Sequence, residues 1–153
     1  MLNYWFIHLK REYEMFDFLG LKKKEDKVRI LIVDDEPNTV QTLQDRLEMN
    51  EYKVYTAYNG RDGLAKALKV KPNIILLDVV MPLMDGFEML EALRGDPEGR
   101  EIPVIMLTAK NHAKDVERAS VCGIEDFIAK PFEIVVLLEK IETIVESYVK
   151  IPT

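Results

Sequence analysis

From residue 28 onward the chain alternates between short apolar runs and longer segments whose apolar residues lie three or four positions apart. Residues 28–33, 74–77 and 102–108 are apolar with almost no polar alternation, which predicts strands buried on both faces of a sheet. Residues 52–58 are more polar and alternate, as in an edge strand. Residues 126–130 complete a predicted set of five strands.

The segments between these runs predict helices. Helical spacing of apolar residues covers 37 to about 49, about 60–68, 87–94 and 137 to about 150, with a short, weakly amphipathic helix at 114–120. Pro37 suits the first turn of the first helix. Strands that alternate with helices predict a doubly wound α/β fold with a parallel sheet and right-handed crossovers. Because the polar second strand belongs at an edge, we expect the strand order 2-1-3-4-5.

Residues 1–27 differ from the rest of the chain. An aromatic and aliphatic stripe at helical spacing (Trp5, Leu9, Tyr13, Phe16 and Leu19) precedes a charged run at residues 22–27. Three interpretations remain open for this extension: a poorly ordered terminus, an extra helix that packs on the domain or on a partner, and an anchor at a membrane surface. Residues 28–150 are expected to form one domain.

Composition narrows the class of protein. A chain of 153 residues with 48% hydrophobic residues can bury a core, and its net charge of -6 argues against direct nucleic-acid binding. Its apolar runs are too short to span a membrane. The single cysteine, Cys122, cannot form an internal disulfide, so the cytoplasm is the expected location.

Carboxylates end two of the predicted strands. Asp34 and Asp35 follow the first strand, and Asp78 follows the third. In the order 2-1-3-4-5 these strands are neighbours, and the crevice at their carboxyl ends is the expected ligand site. Clustered carboxylates repel one another unless a cation is present. Oxygen ligands without histidine or cysteine suit Mg²⁺.

The fourth and fifth strands add a hydroxyl group and an ammonium group to the same edge. Thr108 ends the fourth strand and Lys130 ends the fifth. Each residue alone has an ordinary structural interpretation. Together with a metal and Asp78, they have the parts needed to place a phosphoryl group on a carboxylate and to neutralise its charge.

These motifs resemble those of response regulator receiver domains, in particular the chemotaxis-regulator-like ones, which have a flavodoxin-like fold. The resemblance covers residues 27–150 and rests on Asp34-Asp35, the segment LDVVMPLMDG at 77–86, Thr108-Ala109 and Lys130-Pro131-Phe132. It implies that Asp78 accepts a phosphoryl group from a phosphohistidine of a sensor histidine kinase or a histidine phosphotransfer protein. It also implies that Asp35, Asp78 and the Val80 carbonyl bind Mg²⁺ directly, and that Asp34 acts largely through a water.

The same resemblance assigns roles in signalling. Thr108 and Lys130 would bind phosphate oxygens, Phe127 would be the switch aromatic, and the Lys130-Pro131 bond matches one that is cis in the family. The fourth helix, fifth strand and last helix would form the surface for a downstream protein target or for a homodimer. The chain would be a regulatory phosphoacceptor that assists its own phosphorylation and dephosphorylation, and not an enzyme.

Other classes of protein expect different residues at this site or a different role for it. A phosphatase with an aspartate nucleophile expects a second aspartate where Val80 stands. A flavodoxin-like cofactor binder expects a loop that cradles an anion where the chain has Asp34-Asp35-Glu36. A phosphorylation-independent interaction module on the same fold remains the alternative. The apolar Val80 also predicts slow self-dephosphorylation, because it shields an acyl phosphate from water better than a polar side chain would.

Overall fold

The computed structural model describes residues 15, 18, 19, 27–109 and 113–148. Five strands and five helices alternate along the chain. They are β1 (Arg29–Val33), α1 (Pro37–Met49), β2 (Lys53–Ala57), α2 (Gly60–Val70), β3 (Ile74–Asp78), α3 (Gly86–Gly95), β4 (Val104–Thr108), α4 (Ala113–Val121), β5 (Asp126–Ala129) and α5 (Ile134–Tyr148).

The strands form one sheet in the order β2-β1-β3-β4-β5, and every neighbouring pair is parallel. This confirms the predicted fold and strand order. β2 lies at an edge, as its alternating and less apolar sequence predicted. β1 pairs with both β2 and β3, with Val33 opposite Leu77. The chain therefore leaves β1 and β3 in opposite directions, and the carboxyl ends of these two strands lie side by side.

Helices cover both faces of the sheet, which explains why the central strands lack polar alternation. Leu31, Leu77 and Met106 belong to a core cluster shared with α2, α3 and α4. Their chain neighbours Ile32 and Leu76 point the other way, into a cluster shared with α1 and α5. Every residue of β3 and β4 is buried. The site residues at the ends of these two strands are thus attached to backbone that is buried along its whole length.

Several element boundaries differ from the predicted ones for local reasons. α5 begins at Ile134, one turn before its first fully buried residue Leu137. In that turn the exposed Val135 and Val136 follow the partly buried Ile134, so the apolar run has no one-sided pattern from which the helix start could be predicted. α3 begins at Gly86 because Asp85 caps it. Lys71 adopts a left-handed conformation with φ 48° and ends α2 one turn after Ala67.

Most of the predicted N-terminal extension lies outside the described residues. Within it, Met15, Phe18 and Leu19 have exposed side chains, and the Leu19 amide donates to the Met15 carbonyl at 3.0 Å. The three interpretations of residues 1–27 therefore stay predictions. Among the described residues, no helix is both long and apolar enough to cross a membrane.

Candidate functional site

The adjacent ends of β1 and β3 bring three carboxylates together. One carboxylate oxygen from each of Asp34, Asp35 and Asp78 lies within 4.8 Å of the others. Asp34 and Asp78 are buried, whereas Asp35 is exposed. The Asp34 amide donates to the Ala57 carbonyl at 3.1 Å, so the sheet pairing continues to the first carboxylate. Residues that are 44 positions apart in sequence meet because β1 and β3 are neighbours.

Lys130 enters this acidic cluster from the end of β5. Its Nζ donates to Asp34 Oδ2 at 2.6 Å and lies 3.4 Å from Asp78 Oδ1. The backbone positions this lysine: its amide donates to the Thr108 carbonyl at 2.5 Å, and the Lys130-Pro131 peptide bond is cis. The shortest contact of the ammonium group is therefore with Asp34, a pairing that sequence reasoning did not anticipate.

Burial and charge perturb the ionisation of this cluster. Burial, followed by repulsion from Asp34, raises the pKa of Asp78 to about 6, although the Lys130 ammonium acts in the opposite direction. For Lys130, burial acts to lower the pKa, but the hydrogen bond to Asp34 and the attraction of Asp78 outweigh it and raise the pKa. The lysine thus stays protonated at neutral pH. The cluster still carries more negative than positive charge, which favours binding of a further cation.

The loop after Asp78 folds back against the strand end. The Gly86 amide donates to the Val79 carbonyl at 2.9 Å, and a Cβ at Gly86 would lie 2.2 Å from the Asp78 carbonyl oxygen. Only glycine fits there, a close approach that the sequence did not reveal. The Asp85 side chain accepts a hydrogen bond from the Glu88 amide at 2.8 Å, and the Glu88 side chain accepts one from the Asp85 amide at 2.8 Å. This capping box makes Asp85 a helix-start residue.

The other predicted site residues are Thr108 on β4, Val80 in the loop after β3, and Phe127 on β5. Thr108 ends β4 beside β3 and is buried. Val80 lies in the loop two residues after Asp78, with an exposed side chain. Phe127 is half-buried on β5, opposite Met106, and packs against the core cluster that includes Ala119 of α4. The four strand-end residues Asp34, Asp78, Thr108 and Lys130 therefore share one edge of the sheet, and Phe127 packs on the face of the sheet that α2, α3 and α4 cover.

The chain matches one protein family. The sequence profile of the response regulator receiver domain matches residues 30–142. This match covers most of the chain, and the chain belongs to the receiver domain family of response regulators. The family assignment made from the motifs is thereby confirmed.

Two curated relatives illustrate the range of proteins that contain such a domain. The chain is 36% identical over 124 residues to the DNA-binding dual master transcriptional regulator RpaA of Synechocystis, an alignment that covers 81% of the chain and 52% of RpaA. It is 39% identical over 116 residues to the protein PilH of Pseudomonas aeruginosa, and this alignment covers 76% of the chain and 96% of PilH. The chain spans about half the length of RpaA and of the transcriptional regulatory protein PcoR.

Solved structures share the fold. The chemotaxis protein CheY4 of Vibrio cholerae superposes with a TM-score of 0.74 at 32% identity, covering 77% of this chain and 98% of CheY4. The receiver domain of the sensor histidine kinase PA1611 from Pseudomonas aeruginosa superposes with a TM-score of 0.73 at 28% identity, covering 78% of this chain and 98% of the PA1611 domain. In that PA1611 structure a magnesium ion is coordinated in the active-site cleft.

Proposed function

We propose that residues 28–150 form a receiver domain that acts in the cytoplasm, and in which Asp78 accepts a phosphoryl group from a phosphohistidine of a sensor histidine kinase or of a histidine phosphotransfer protein. One observation carries this proposal. Asp78 lies buried at the end of β3, with carboxylates of Asp34 and Asp35 within 4.8 Å and the Lys130 ammonium group at 3.4 Å. This arrangement combines a nucleophile, a cation site and a fixed positive charge around one carboxylate.

The transfer is a substitution at phosphorus. An Oδ atom of Asp78 forms the new bond to phosphorus, the bond between phosphorus and the histidine nitrogen breaks, and the imidazole keeps that electron pair. Asp78 must be ionised to attack. Its pKa of about 6 leaves it largely deprotonated at neutral pH, so no separate base is needed.

The acidic cluster fits a Mg²⁺ ion. The donors are all oxygens, which suits Mg²⁺. Burial, followed by repulsion from Asp34, raises the pKa of Asp78 even with the Lys130 ammonium group nearby, so a further cation would be favoured there. Asp35, Asp78 and the Val80 carbonyl would hold the ion directly, and Asp34 would act largely through a water. When bound, the ion supplies positive charge to the phosphoryl oxygens. The magnesium in the PA1611 receiver domain supports this assignment.

Thr108 and Lys130 would then sense the modification. A phosphoryl group adds about 1.5 to 2 negative charges at neutral pH. We expect it to attract the Lys130 ammonium group away from Asp34, its present partner at 2.6 Å, and to accept a hydrogen bond from the Thr108 hydroxyl.

The readout would pass through Phe127 to α4, β5 and α5. Phe127 already contacts the cluster that contains Ala119 of α4, so a displacement near Thr108 has a packed path to that helix. This surface would bind a downstream protein target or a second copy of the chain. The protein is thus a regulatory phosphoacceptor that assists its own phosphorylation and dephosphorylation, with no direct contact to nucleic acid.

Acetyl phosphate tests the proposal without a kinase. The purified chain is incubated with Mg²⁺ and acetyl phosphate and its intact mass is measured. We expect the mass of one phosphoryl group to be added to wild type and to Asp85→Asn, which retains a capping side chain, but not to Asp78→Asn.

Two results would contradict the proposal. One is no mass gain in wild type, which would favour a phosphorylation-independent interaction module on the same fold. The other is a gain that persists in Asp78→Asn.

A further inference from the structure

The loop that follows Asp78 presents one apolar side chain to solvent in an unusual backbone conformation. Leu83 has φ 69°, a region that residues other than glycine rarely occupy. The Met84 amide donates to the Pro82 carbonyl at 2.9 Å, which closes a γ-turn of the rare, strained kind around Leu83. The Leu83 side chain is 98% exposed. Strain of this kind persists only where the surrounding structure imposes it.

The surrounding structure does impose it. The hydrogen bond from Gly86 to the Val79 carbonyl closes the loop on one side, and the capping box of Asp85 fixes its exit into α3. The first residue of α2 packs against the loop, since a Cβ at Gly60 would lie 2.6 Å from the Met84 carbonyl oxygen. The exposure of Leu83 is therefore a fixed property of a braced loop.

Leu83 is also placed where a large phosphodonor must make contact. The side chain of Asp78 is only 9% exposed, so a donor reaches it through the mouth formed by the neighbouring loops. Val80, on the same loop as Leu83, is 71% exposed. A protein that brings a phosphohistidine to bonding distance of Asp78 covers this mouth, whereas a small donor such as acetyl phosphate does not. Single exposed leucines are common, but this one is strained, braced and adjacent to the acceptor.

We propose that Leu83 is an apolar anchor, and a specificity-determining residue, for the protein that phosphorylates Asp78. The inference rests on the proposed function. The partner would be a phosphohistidine-bearing domain with an apolar patch beside its histidine, which buries Leu83 on docking. Burial of an exposed leucine side chain is large enough to change affinity by about tenfold or more.

Two donors applied to the same variants test the inference. One is acetyl phosphate, and the other is the purified phosphohistidine domain that labels the wild-type chain fastest in a survey of kinase and phosphotransfer domains. Leu83→Asn keeps a residue that tolerates positive φ but removes the apolar surface. Leu83→Met keeps apolar surface. Met49→Gln removes an exposed apolar side chain at the end of α1, at the opposite edge of the sheet.

We expect Leu83→Asn to raise by about tenfold the concentration of the donor domain that gives half-maximal transfer. Leu83→Met and Met49→Gln should remain close to wild type in the same assay. The rates of labelling by acetyl phosphate should stay within about twofold of the wild-type rate in all three variants. Unchanged transfer from the domain in Leu83→Asn would overturn the inference and leave the proposed function intact. Equal loss with both donors would also overturn it, as would labelling by acetyl phosphate but by no phosphohistidine domain. Failure of wild type with acetyl phosphate would overturn the proposed function itself.

Discussion

At the amino-terminal edge of the sheet one arginine satisfies four carbonyl groups, whereas at the carboxyl-terminal edge one lysine lies among three carboxylates. Arg94, in the last turn of α3, donates to Ile102 at 2.8 Å and to Gly123 at 3.0 Å. It also donates to Gly99 and Cys122, each at 3.3 Å. The guanidinium group thereby joins the loop before β4 to the loop before β5.

The two edges treat buried charge differently. Burial lowers the pKa of Arg94, but its donors meet fixed backbone acceptors, and these hydrogen bonds offset part of the cost of burying the charge. The cluster around Asp78 keeps an excess of negative charge, and burial followed by repulsion from Asp34 raises the pKa of Asp78, which is a cost in stability at neutral pH. A protein tolerates such a cost where a ligand or a reaction uses it. The amino-terminal edge therefore maintains the fold, whereas the carboxyl-terminal edge carries the unrelieved charge that the proposed reaction would use.

Loss of Arg94 should have the largest effect on stability. Arg94→Ala leaves four carbonyls without this donor, and we expect the free energy of unfolding to fall by about 3 kcal/mol in urea titrations. Arg118→Ala is the matched control, because Arg118 is exposed and pairs with Glu91, and it should cost no more than about 1 kcal/mol. Equal losses in the two variants would contradict the structural role. Acetyl phosphate labelling of folded Arg94→Ala should match that of wild type.

Removal of the Asp78 charge should stabilise the metal-free protein. The folded pKa of about 6 lies above the ordinary value of 3.8, so the folded state binds the proton more tightly and stability falls as pH rises from about 4 to 6. Asp78→Asn should therefore gain on the order of 1–3 kcal/mol at pH 8. The gain should shrink towards pH 4, as measured by urea unfolding with a chelator present.

Asp45→Asn provides the control, since Asp45 is an exposed helix residue that accepts a hydrogen bond from Gln41. It should leave the free energy of unfolding close to that of wild type at both pH values. A loss of stability in Asp78→Asn at pH 8 would show that the carboxylate is not under electrostatic strain.

Mg²⁺ should offset the repulsion among the three carboxylates, and its affinity should depend on pH. We expect Mg²⁺ to raise the unfolding midpoint of wild type, and to do so much less in Asp35→Asn and Asp78→Asn. Protons compete with the ion at Asp78, so its affinity should fall by about tenfold between pH 7 and pH 5. Thermal unfolding over a series of Mg²⁺ concentrations measures both effects, and a pH-independent affinity would exclude Asp78 as a ligand.

The smallest expected effect concerns the lifetime of the phosphorylated state. Val80 presents an exposed isopropyl group near the acceptor, which cannot hold a water by hydrogen bonding. Val80→Asn introduces an amide that can, and we expect it to lose the phosphoryl group a few-fold faster than wild type, measured as the decay of the phosphorylated mass after the donor is removed. An unchanged decay rate would rule out a shielding role for Val80.

The hydrophobic pattern, together with the topology rules of α/β folds, was enough to predict the strand order. A sheet covered on both faces needs continuous apolar central strands; the more polar β2 was therefore placed at an edge, which made β1 and β3 neighbours, and the partly buried β5 lies at the other edge. Helix ends were less predictable, because they depend on capping contacts such as that of Asp85 and on first turns without a one-sided apolar pattern, such as that of α5.

The acidic residues of the site could be named from their positions after apolar runs, because parallel strands end at one edge. Three-dimensional packing decided the rest. It assigned the closest contact of Lys130 to Asp34, required glycine at position 86 against the Asp78 carbonyl, and held Leu83 in a left-handed turn. Periodicity along the chain reports which face of an element is buried. Distances of a few ångströms between groups on different elements depend on how those elements pack together, which no local pattern encodes.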